Sequence, residues 1–399
     1  MKVKIEKLDN YGRGICFINN KICFVYNALE DEEVEINIIK ENKKYIEAEV
    51  LKYYKLSNDR EDVKCKYYKE CGGCNLLHLS YKNENEFKQN KVKDILYKFA
   101  KVDKNKILDI LSDNMLFYRN KAVFCCNKEG LAYYKYKSHE KVNIDKCLLL
   151  NKKINESINI LNNNINTEKI DSILIRTSNN LDSILLDIKG DINNYDILKN
   201  YFDVIIINDR CITNDSRIIT NIGKYKYYLS SKSFFQVNIN LTYYLYEYIK
   251  NIIKTKKISK VLDLYSGVAS IGIYISDVVD NVICVDNNKS NIIDAKDNLK
   301  LNNINNIKLI CDDVSNVIDR FKDIDLIIVD PPRSGLDKKT CNYLNIINSK
   351  YIIYTSCDVV TLARDLNILK DKYNIVSIKP FNMFLKSYHC EAIAVLERR

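Results

Sequence analysis

Tryptophan is absent from this chain of 399 residues, and only 10 glycines, 3 prolines and 3 histidines occur. We attribute this bias to an AT-rich coding sequence, so the surplus of lysine partly reflects codon usage. The low glycine and proline content excludes collagen-like repeats, and a hydrophobic fraction of 46% excludes a disordered chain. Where glycine or proline persists, a demand of backbone geometry is the better explanation.

Long apolar runs are also missing. No run approaches the roughly 18 residues that a membrane span needs, and Met1–Ile5 alternates apolar with charged residues instead of forming the apolar core of a signal peptide. We therefore expect a cytoplasmic protein with no membrane partner. In that compartment the 14 cysteines are expected to be buried thiols, metal ligands or a nucleophile rather than disulfides.

The length exceeds that of one average domain and allows two or three hydrophobic cores. The formal net charge of +10 is compatible with an anionic partner such as RNA but does not identify one by itself. No feature of the sequence calls for an obligate protein partner, so we expect a monomer.

Hydrophobic periodicity divides the chain into three predicted domains. Residues 1–56 contain short alternating strands, which are typical of a small β-barrel that binds a ligand on its surface. Residues 57–228 mix strands with short helices and include a helix over about 84–99, a candidate to pack on the C-terminal domain. Residues 229–399 alternate apolar strands with helices, which predicts an α/β domain with a parallel, doubly wound sheet.

A glycine-containing loop, Asp263–Gly272, follows one predicted strand, and Asp286 ends the next. A glycine lets the chain turn close to a ligand, and an acid at the next strand tip can accept hydrogen bonds from both ribose hydroxyls. We therefore expect an adenosine-containing ligand. The spacing Gly267-x-Ala269-x-x-Gly272 leaves an NAD-dependent oxidoreductase open as an alternative, and a tight turn without a ligand also explains this segment alone.

Two of the three prolines stand together in Asp330-Pro331-Pro332-Arg333, at the tip of a later strand. Paired prolines stiffen a loop, and Asp330 would then point into the crevice at the carboxyl ends of the strands, where doubly wound folds bind ligands. A dehydrogenase has no specific need for this element. A methyltransferase does, because it must fix its substrate against a sulfonium donor.

A cysteine, Cys357, ends the next strand and should emerge at the same edge of the sheet. The last two strands are predicted to form a hairpin, and an antiparallel final strand would place His389 and Glu391 near the thiol. A thiolate that adds to C6 of a pyrimidine makes C5 nucleophilic enough to take a methyl group, and a base must then remove the C5 proton. Cys357 would be the nucleophile and Glu391 the base; taken singly, each also fits a structural role, as a buried thiol or a capping carboxylate.

These motifs resemble those of the RNA uracil-5-methyltransferases, in particular the ribosomal-RNA branch with an N-terminal TRAM domain and an iron–sulfur cluster. The resemblance covers nearly the whole chain. It implies an α/β multidomain protein with an OB-fold (TRAM) β-barrel, a mixed α+β central domain that holds the cluster and binds RNA, and a Rossmann-like class I methyltransferase domain that uses S-adenosylmethionine. The matched donor-binding residues are Gln236 (in Phe234-Phe235-Gln236-Val237-Asn238), Tyr265, Asp286 and Asp330.

The nucleophile motif is the most specific match. Ser356-Cys357-Asp358 with Thr361-Leu362-Ala363-Arg364-Asp365 resembles SCNPxTLARD, and His389-Cys390-Glu391 resembles the HxE base motif. The departures are Asp358-Val359 for Asn-Pro, Ala269 for a common Gly, Leu385-Lys386 for Pro-His, and Asp286 for the longer Glu. A carboxylate at Asp358 is expected to raise the pKa of the neighbouring Cys357 thiol and slow its ionisation.

Three cysteines, Cys65, Cys71 and Cys74, stand close together around Gly72-Gly73, which would let the chain wrap a metal or a cluster. Three thiolates need a fourth ligand from elsewhere, and the spacing alone leaves zinc open. The family resemblance selects Cys147 as the fourth ligand and implies a [4Fe-4S] cluster.

The segment Tyr118-Arg119-Asn120-Lys121 resembles the family's YRNK element, in which cations and an aromatic ring would hold phosphates and a displaced base. The target uridine must leave its stack to present C5 and C6 to Cys357. These expectations predict an enzyme that makes 5-methyluridine in 23S rRNA. A tRNA uracil-5-methyltransferase is the alternative within the family; outside it, the alternatives are the NAD-dependent oxidoreductase and a noncatalytic RNA-binding protein.

Overall fold

The computed structural model describes residues 1–113, 115–180 and 182–399. No helix in these ranges is long and apolar enough to cross a membrane. By compactness the chain divides into two units, which are described separately. The first comprises Met1–Lys91, Tyr133–Val142 and Phe384–His389, and the second comprises Val92–Ala132, Asn143–Met383 and Cys390–Arg399.

The first unit begins with a six-stranded sheet of short alternating strands. Its inward side chains, among them Val25, Val34 and Ala48, are fully buried, as expected for the core of the predicted OB-fold (TRAM) barrel. The strands are β1 (Lys2–Lys4), β2 (Lys7–Leu8), β3 (Gly14–Ile18), β4 (Lys21–Tyr26), β5 (Glu33–Glu41) and β6 (Tyr45–Lys55), in the order β1-β5-β6-β4-β3-β2.

A long helix, α1 (Tyr81–Ala100), begins in the first unit and ends in the second. In its second half Val92, Ile95 and Leu96 are buried in the same hydrophobic core as the strand residues Leu262 and Ile352. The helix predicted over about 84–99 was a candidate to pack on the C-terminal domain, and these three buried side chains attach the end of α1 to the C-terminal α/β sheet.

A mixed α+β region follows α1, as predicted, and most of its strand residues belong to the second unit. The region contains a seven-stranded sheet in the order β13-β12-β11-β10-β7-β8-β9, in which only the β11–β12 pair is parallel among the pairs with a defined register. The elements are β7 (Lys121–Asn127), β8 (Gly130–Tyr134), β9 (Lys141–Asn143), α2 (Lys152–Asn164), β10 (Ile170–Thr177), β11 (Ile184–Gly190), β12 (Val204–Ile207) and β13 (Arg210–Cys211), followed by the hairpin β14 (Ile218–Ile222) and β15 (Tyr225–Leu229).

The C-terminal part of the chain alternates helices and strands. Its elements are α3 (Ile239–Lys256), β16 (Lys260–Leu264), α4 (Ser270–Ile275), β17 (Asn281–Asp286), α5 (Lys289–Leu301), β18 (Ile307–Cys311), α6 (Val314–Val317), β19 (Leu326–Val329), α7 (Lys338–Ile346), β20 (Tyr351–Ser356), α8 (Val359–Leu369), β21 (Tyr373–Phe381) and β22 (Glu391–Arg398). Short 3₁₀ turns lie at Lys104–Lys106, Tyr195–Asn200, Ser276–Val278 and Ile318–Arg320.

The seven strands β16 to β22 form one sheet in the order β18-β17-β16-β19-β20-β22-β21. The first five are parallel, and β22 enters antiparallel between β20 and β21. The central strands β19 and β20 are buried along their whole length, which explains their continuous apolar sequences. The doubly wound sheet and the final hairpin predicted from the sequence are both confirmed.

Candidate active site

The carboxyl edge of this sheet collects the candidate catalytic residues. Cys357 follows β20, while Glu391 opens β22, which runs the opposite way. Ser356 pairs with Ala392 in the antiparallel ladder, so the next step of the register sets Cys357 beside Glu391. The structure therefore brings together the thiol and the carboxylate that the sequence placed at one edge.

Burial and charge both act on the Cys357 thiol. Its pKa is raised to about 11, first by burial and then by the negative charges of Glu391 and Asp330, while the Arg333 guanidinium lowers it. Burial, followed by the charge of Asp330, also raises the pKa of Glu391 well above its usual range, again against the effect of Arg333. Burial likewise raises the pKa of Asp330. The edge thus holds two acids with raised pKa values, a thiol and one opposing cation.

Asp358, beside the candidate nucleophile Cys357, has a different role from the one expected. Its Oδ1 accepts hydrogen bonds from the backbone N–H groups of Val360 and Thr361, both at 2.9 Å, so the side chain caps the N-terminus of α8. Glu391 and Asp330 are the carboxylates that contribute most to the raised pKa of Cys357. The effect expected of Asp358 therefore comes from Glu391 and Asp330, because the Asp358 carboxylate is turned to the helix.

The loop after β16 turns through three left-handed residues, Tyr265 (φ +61°), Gly267 (φ +56°) and Ala269 (φ +59°). A Cβ added to Gly267 would meet nothing within 4 Å, so this glycine serves the turn and leaves space beside the backbone. The N–H of Gly267 donates to Asp286 Oδ2 at 2.9 Å. The glycine loop and the acid of the next strand are therefore one connected structure, as the sequence pattern suggested.

Asp286 is held in place by its second oxygen as well. Oδ1 accepts from the backbone N–H of Asn288 at 2.9 Å and from Asn291 Nδ2 at 3.0 Å. Two buried acceptors nearby, Asp263 Oδ1 and Asn291 Oδ1, have no hydrogen-bond partner among the residues that the structure describes. Burial, with a further contribution from Asp330, raises the pKa of Asp263 to about 8. This combination is typical of a site whose polar groups are completed by a ligand.

Comparison with known proteins identifies the fold that carries this site. The profile of the family described as tRNA (uracil-5-)-methyltransferase matches residues 203–399, and that of the TRAM domain matches residues 1–51. An uncharacterized RNA methyltransferase of Aquifex aeolicus is 32% identical and aligns over 100% of this chain and 98% of its own length. One from Clostridium acetobutylicum is 30% identical over 100% and 96% of the two chains.

The chain belongs to the S-adenosylmethionine-dependent RNA uracil-5-methyltransferase family.

A solved structure supports the same fold for the methyltransferase. The crystal structure of the Pyrococcus abyssi tRNA (uracil-54, C5)-methyltransferase in complex with S-adenosyl-L-homocysteine is similar at a TM-score of 0.83 and 25% identity, over 99% of this chain and 100% of that one. Family membership decides between the alternatives left open by the sequence. It favours an RNA methyltransferase over an NAD-dependent oxidoreductase and over a noncatalytic RNA-binding protein.

Gln236, the remaining donor-site candidate of the methyltransferase, is nearly buried and lies in a braced segment. The Asn120 side chain donates to the carbonyl of Gln236 at 3.3 Å, and the Asn120 N–H donates to the carbonyl of Val237 at 3.2 Å. The fully buried Arg176 donates to the carbonyls of Ser230 (2.7 Å) and Ser233 (2.8 Å). Asn120 belongs to the segment Tyr118–Lys121, for which RNA binding stays a prediction, and its own side chain supports Gln236.

The candidate cluster ligands of the methyltransferase are partly exposed thiols. Cys65, Cys71 and Cys74 lie in the first unit, and Cys147 lies in the second. All 14 cysteines are among the described residues and none forms a disulfide. In the described part of the chain, no group of three or more His, Cys, Asp or Glu side chains is arranged to hold a metal ion, so the residues as placed do not by themselves form a metal site.

Several residues that surround the site were not predicted from the sequence. Asp263 is fully buried at the same edge. The motif Asp-Leu-Tyr-Ser-Gly, which begins with Asp263, was the sequence feature that could have indicated its place in the site. Arg333 was recognised only as part of the proline loop, although it is the cation that acts on both Cys357 and Glu391. Asp313 follows β18 at this edge and caps α6; an acid directly after a predicted strand was the available signal.

Proposed function

We propose that this methyltransferase transfers a methyl group to C5 of a uridine in 23S rRNA, with Cys357 as the nucleophile and Glu391 as the base. The observation that carries the proposal is the antiparallel pairing of β20 with β22, which sets the thiol and the carboxylate side by side. Two acids and a thiol in a largely buried cluster are poised for addition followed by proton removal.

The donor site fits S-adenosylmethionine. Asp286 offers a fixed carboxylate for the ribose hydroxyls, the turn at Gly267 leaves space beside the backbone, and Asp263 Oδ1 and Asn291 Oδ1 are buried acceptors without a partner among the described residues. Gln236, Tyr265 and Asp330 would complete this site. When bound, S-adenosylmethionine supplies an electrophilic methyl group. The chain's own contribution is to hold the donor and the uridine rigidly against each other.

The Cys357 thiol first gives up its proton to solvent, which leaves the reactive thiolate. The thiolate then forms the S–C6 bond to the uracil ring, and the ring electrons move to C5, which becomes the nucleophile. After C5 has gained the methyl group, the Glu391 carboxylate accepts the C5 proton, the C5=C6 double bond forms again and the S–C6 bond breaks. The raised pKa of Glu391 makes its carboxylate a stronger base for this proton transfer.

The RNA partner is proposed from the barrel and the family. The TRAM domain at residues 1–51 and the net charge of +10 both suit RNA, and the uridine must be displaced from its stack to reach Cys357. The first substrate to test is 23S rRNA, because the barrel and the cysteine loop resemble the ribosomal-RNA branch. The whole-chain similarity to a tRNA (uracil-54, C5)-methyltransferase makes tRNA the second candidate.

Other finer assignments also stay proposals. The domain boundaries 1–56, 57–228 and 229–399, a monomeric state and a cytoplasmic location belong to this group. So does a structural [4Fe-4S] cluster on Cys65, Cys71, Cys74 and Cys147, with zinc as its alternative. The cluster is proposed from the family resemblance alone, and no step of the reaction depends on it.

Two experiments test the proposed function. RNA that contains 5-fluorouridine should form a covalent complex with the wild-type protein, because fluorine at C5 blocks the final elimination, and the complex should disappear in Cys357→Ala. A complex that persists in this variant would overturn the assignment of the nucleophile. Mapping of 5-methyluridine in 23S rRNA and in tRNA from a strain without the gene then decides the substrate; loss confined to tRNA would overturn the rRNA proposal.

A further inference from the structure

Asp365 is a fully buried carboxylate on α8. Its Oδ2 accepts a hydrogen bond from the backbone N–H of Leu336 at 2.9 Å and another from the Tyr354 hydroxyl at 2.7 Å. Its Oδ1 accepts from Arg364 Nε at 2.8 Å. A single carboxylate therefore joins three segments: the loop after β19, the strand β20 and the helix α8.

These three segments also carry the reactive cluster. The loop after β19 begins with Asp330 and contains Arg333. The charge of Asp330 raises the pKa of Cys357, and the charge of Arg333 lowers it. Tyr354 lies on β20, three residues before Cys357, and α8 begins two residues after Cys357. The position of this loop therefore decides how the two charges meet the thiol.

Arg364 strengthens the same connection. Its Nη2 donates to the carbonyl of Ser334 at 2.9 Å and to the carbonyl of Leu336 at 3.0 Å. Gly335, between these two residues, has φ +75°, and a Cβ added there would lie 2.6 Å from both Arg364 Nη2 and Asp365 Oδ2. The loop thus rests directly on the Arg364–Asp365 pair, in a conformation that only glycine adopts without strain.

We propose that Asp365 is a positioning residue for the nucleophile, because it fixes the loop of Asp330 and Arg333 against the strand and helix that flank Cys357. The inference rests on the proposed function. Asp365 does not touch the reacting atoms in this arrangement; it acts through the loop. A buried carboxylate suits this task, because its two oxygens accept hydrogen bonds from several segments at once and so fix them against one another.

The test compares two isosteric variants, Asp365→Asn and Asp325→Asn. Asp325 is a matched control because its Oδ2 also accepts two backbone N–H bonds, from Ser259 (3.0 Å) and Lys260 (2.8 Å), at the opposite edge of the same sheet. Measured at saturating 5-fluorouridine RNA, the rate of adduct formation should fall about 10- to 100-fold in Asp365→Asn. It should stay within about twofold of wild type in Asp325→Asn, and binding of S-adenosylhomocysteine should change little in either variant.

A second measurement does not depend on catalysis. Hydrogen exchange of the Leu336 amide should become faster in Asp365→Asn and should be unchanged in Asp325→Asn. If Asp365→Asn folds poorly, Tyr354→Phe, which removes one donor and keeps the Asp365 carboxyl group, should still slow adduct formation, by less than about 10-fold. If Asp365→Asn forms the adduct at the wild-type rate, or if Asp325→Asn loses as much, the inference is wrong. If the wild-type protein forms no adduct, the proposed function fails first, and the exchange of Leu336 still decides whether Asp365 holds the loop.

Discussion

Cys357 and Glu391 lie beside each other at one sheet edge because β20 and β22 run antiparallel, one residue beyond the pairing of Ser356 with Ala392. The thiol follows one strand and the carboxylate opens the other. In the proposed mechanism, this placement would let Glu391 remove a proton from the same uridine to which Cys357 adds.

Glu391→Gln should leave nucleophilic addition intact and block proton removal. We expect multiple turnover to fall about 10²- to 10⁴-fold, with a covalent protein–RNA complex accumulating on ordinary uridine RNA in the presence of S-adenosylmethionine. Denaturing electrophoresis detects the complex. Glu397→Gln, at the other end of β22 where Glu397 contacts Tyr351, is the control and should turn over normally. Normal turnover by Glu391→Gln itself would show that another group is the base.

Arg333 should set the pH dependence of adduct formation. The pKa of Cys357 is raised to about 11, so the thiolate fraction and the rate should increase as the pH rises from about 7 to 9. Arg333 lowers this pKa, so Arg333→Gln should shift the profile to higher pH and slow the reaction about three- to tenfold near neutral pH. Arg333→Lys keeps the charge and should keep the profile. Superimposable profiles for all three proteins would contradict this assignment.

Asp286→Asn should weaken binding of the donor. The carboxylate is fixed by Gly267, Asn288 and Asn291, and a hydrogen bond to a charged acceptor contributes about 1.5–3 kcal/mol, which corresponds to about 10- to 100-fold in Kd. Titration calorimetry with S-adenosylhomocysteine measures the change. Asp280→Asn, just before β17 on the opposite edge, is the matched control. Equal affinities for Asp286→Asn and wild type would remove Asp286 from the donor site.

The titration of Asp263 should lower the free energy of unfolding of the ligand-free protein as the pH rises. Its pKa in the folded state is raised to about 8 by burial and by Asp330, so the folded state binds this proton more tightly than the unfolded state does. The resulting stabilisation is fully present below the unfolded pKa of about 4 and is lost as the pH rises toward 8. Asp263→Asn should flatten the dependence of Tm on pH in this range. An unchanged slope would show that Asp263 is ionised throughout.

If Cys65, Cys71, Cys74 and Cys147 bind a [4Fe-4S] cluster, the purified protein should contain iron. Protein purified without oxygen should be brown and contain about four iron atoms per chain, and Cys65→Ser should lose both the colour and the iron. Cys211→Ser, which alters a partly exposed thiol of β13, should keep both. Colourless protein with about one zinc per chain would replace the iron–sulfur assignment.

The sequence was sufficient to predict the elements whose signal is local. The apolar strands β19 and β20, the turn around Gly267 and the acid at Asp286 each show themselves within a few residues, and the final hairpin placed Glu391 at the correct edge. It was not sufficient for side-chain contacts between distant segments. The bonds from Leu336 and Tyr354 to Asp365, and from Asn120 to Gln236, depend on packing that no periodicity reveals.

The role of Arg333 was missed for a related reason. A charge acts through space on whatever the fold brings near it, and the sequence shows only its neighbours along the chain. Asp358 shows the reverse case, because adjacency to Cys357 suggested an electrostatic effect while the side chain is engaged by Val360 and Thr361.

The capping of α8 by Asp358 also shows what the two residues after Cys357 contribute to the fold. Asn and Asp are nearly equivalent as N-caps, and proline is favoured at the first helical position but is not required there. Asp358-Val359 therefore preserves the N-terminus of the helix, although it differs from the Asn-Pro sequence of the family motif. A search for distant relatives that demands Asn-Pro after the cysteine would pass over chains of this kind; one that asks for any good N-cap in front of a helix would retain them.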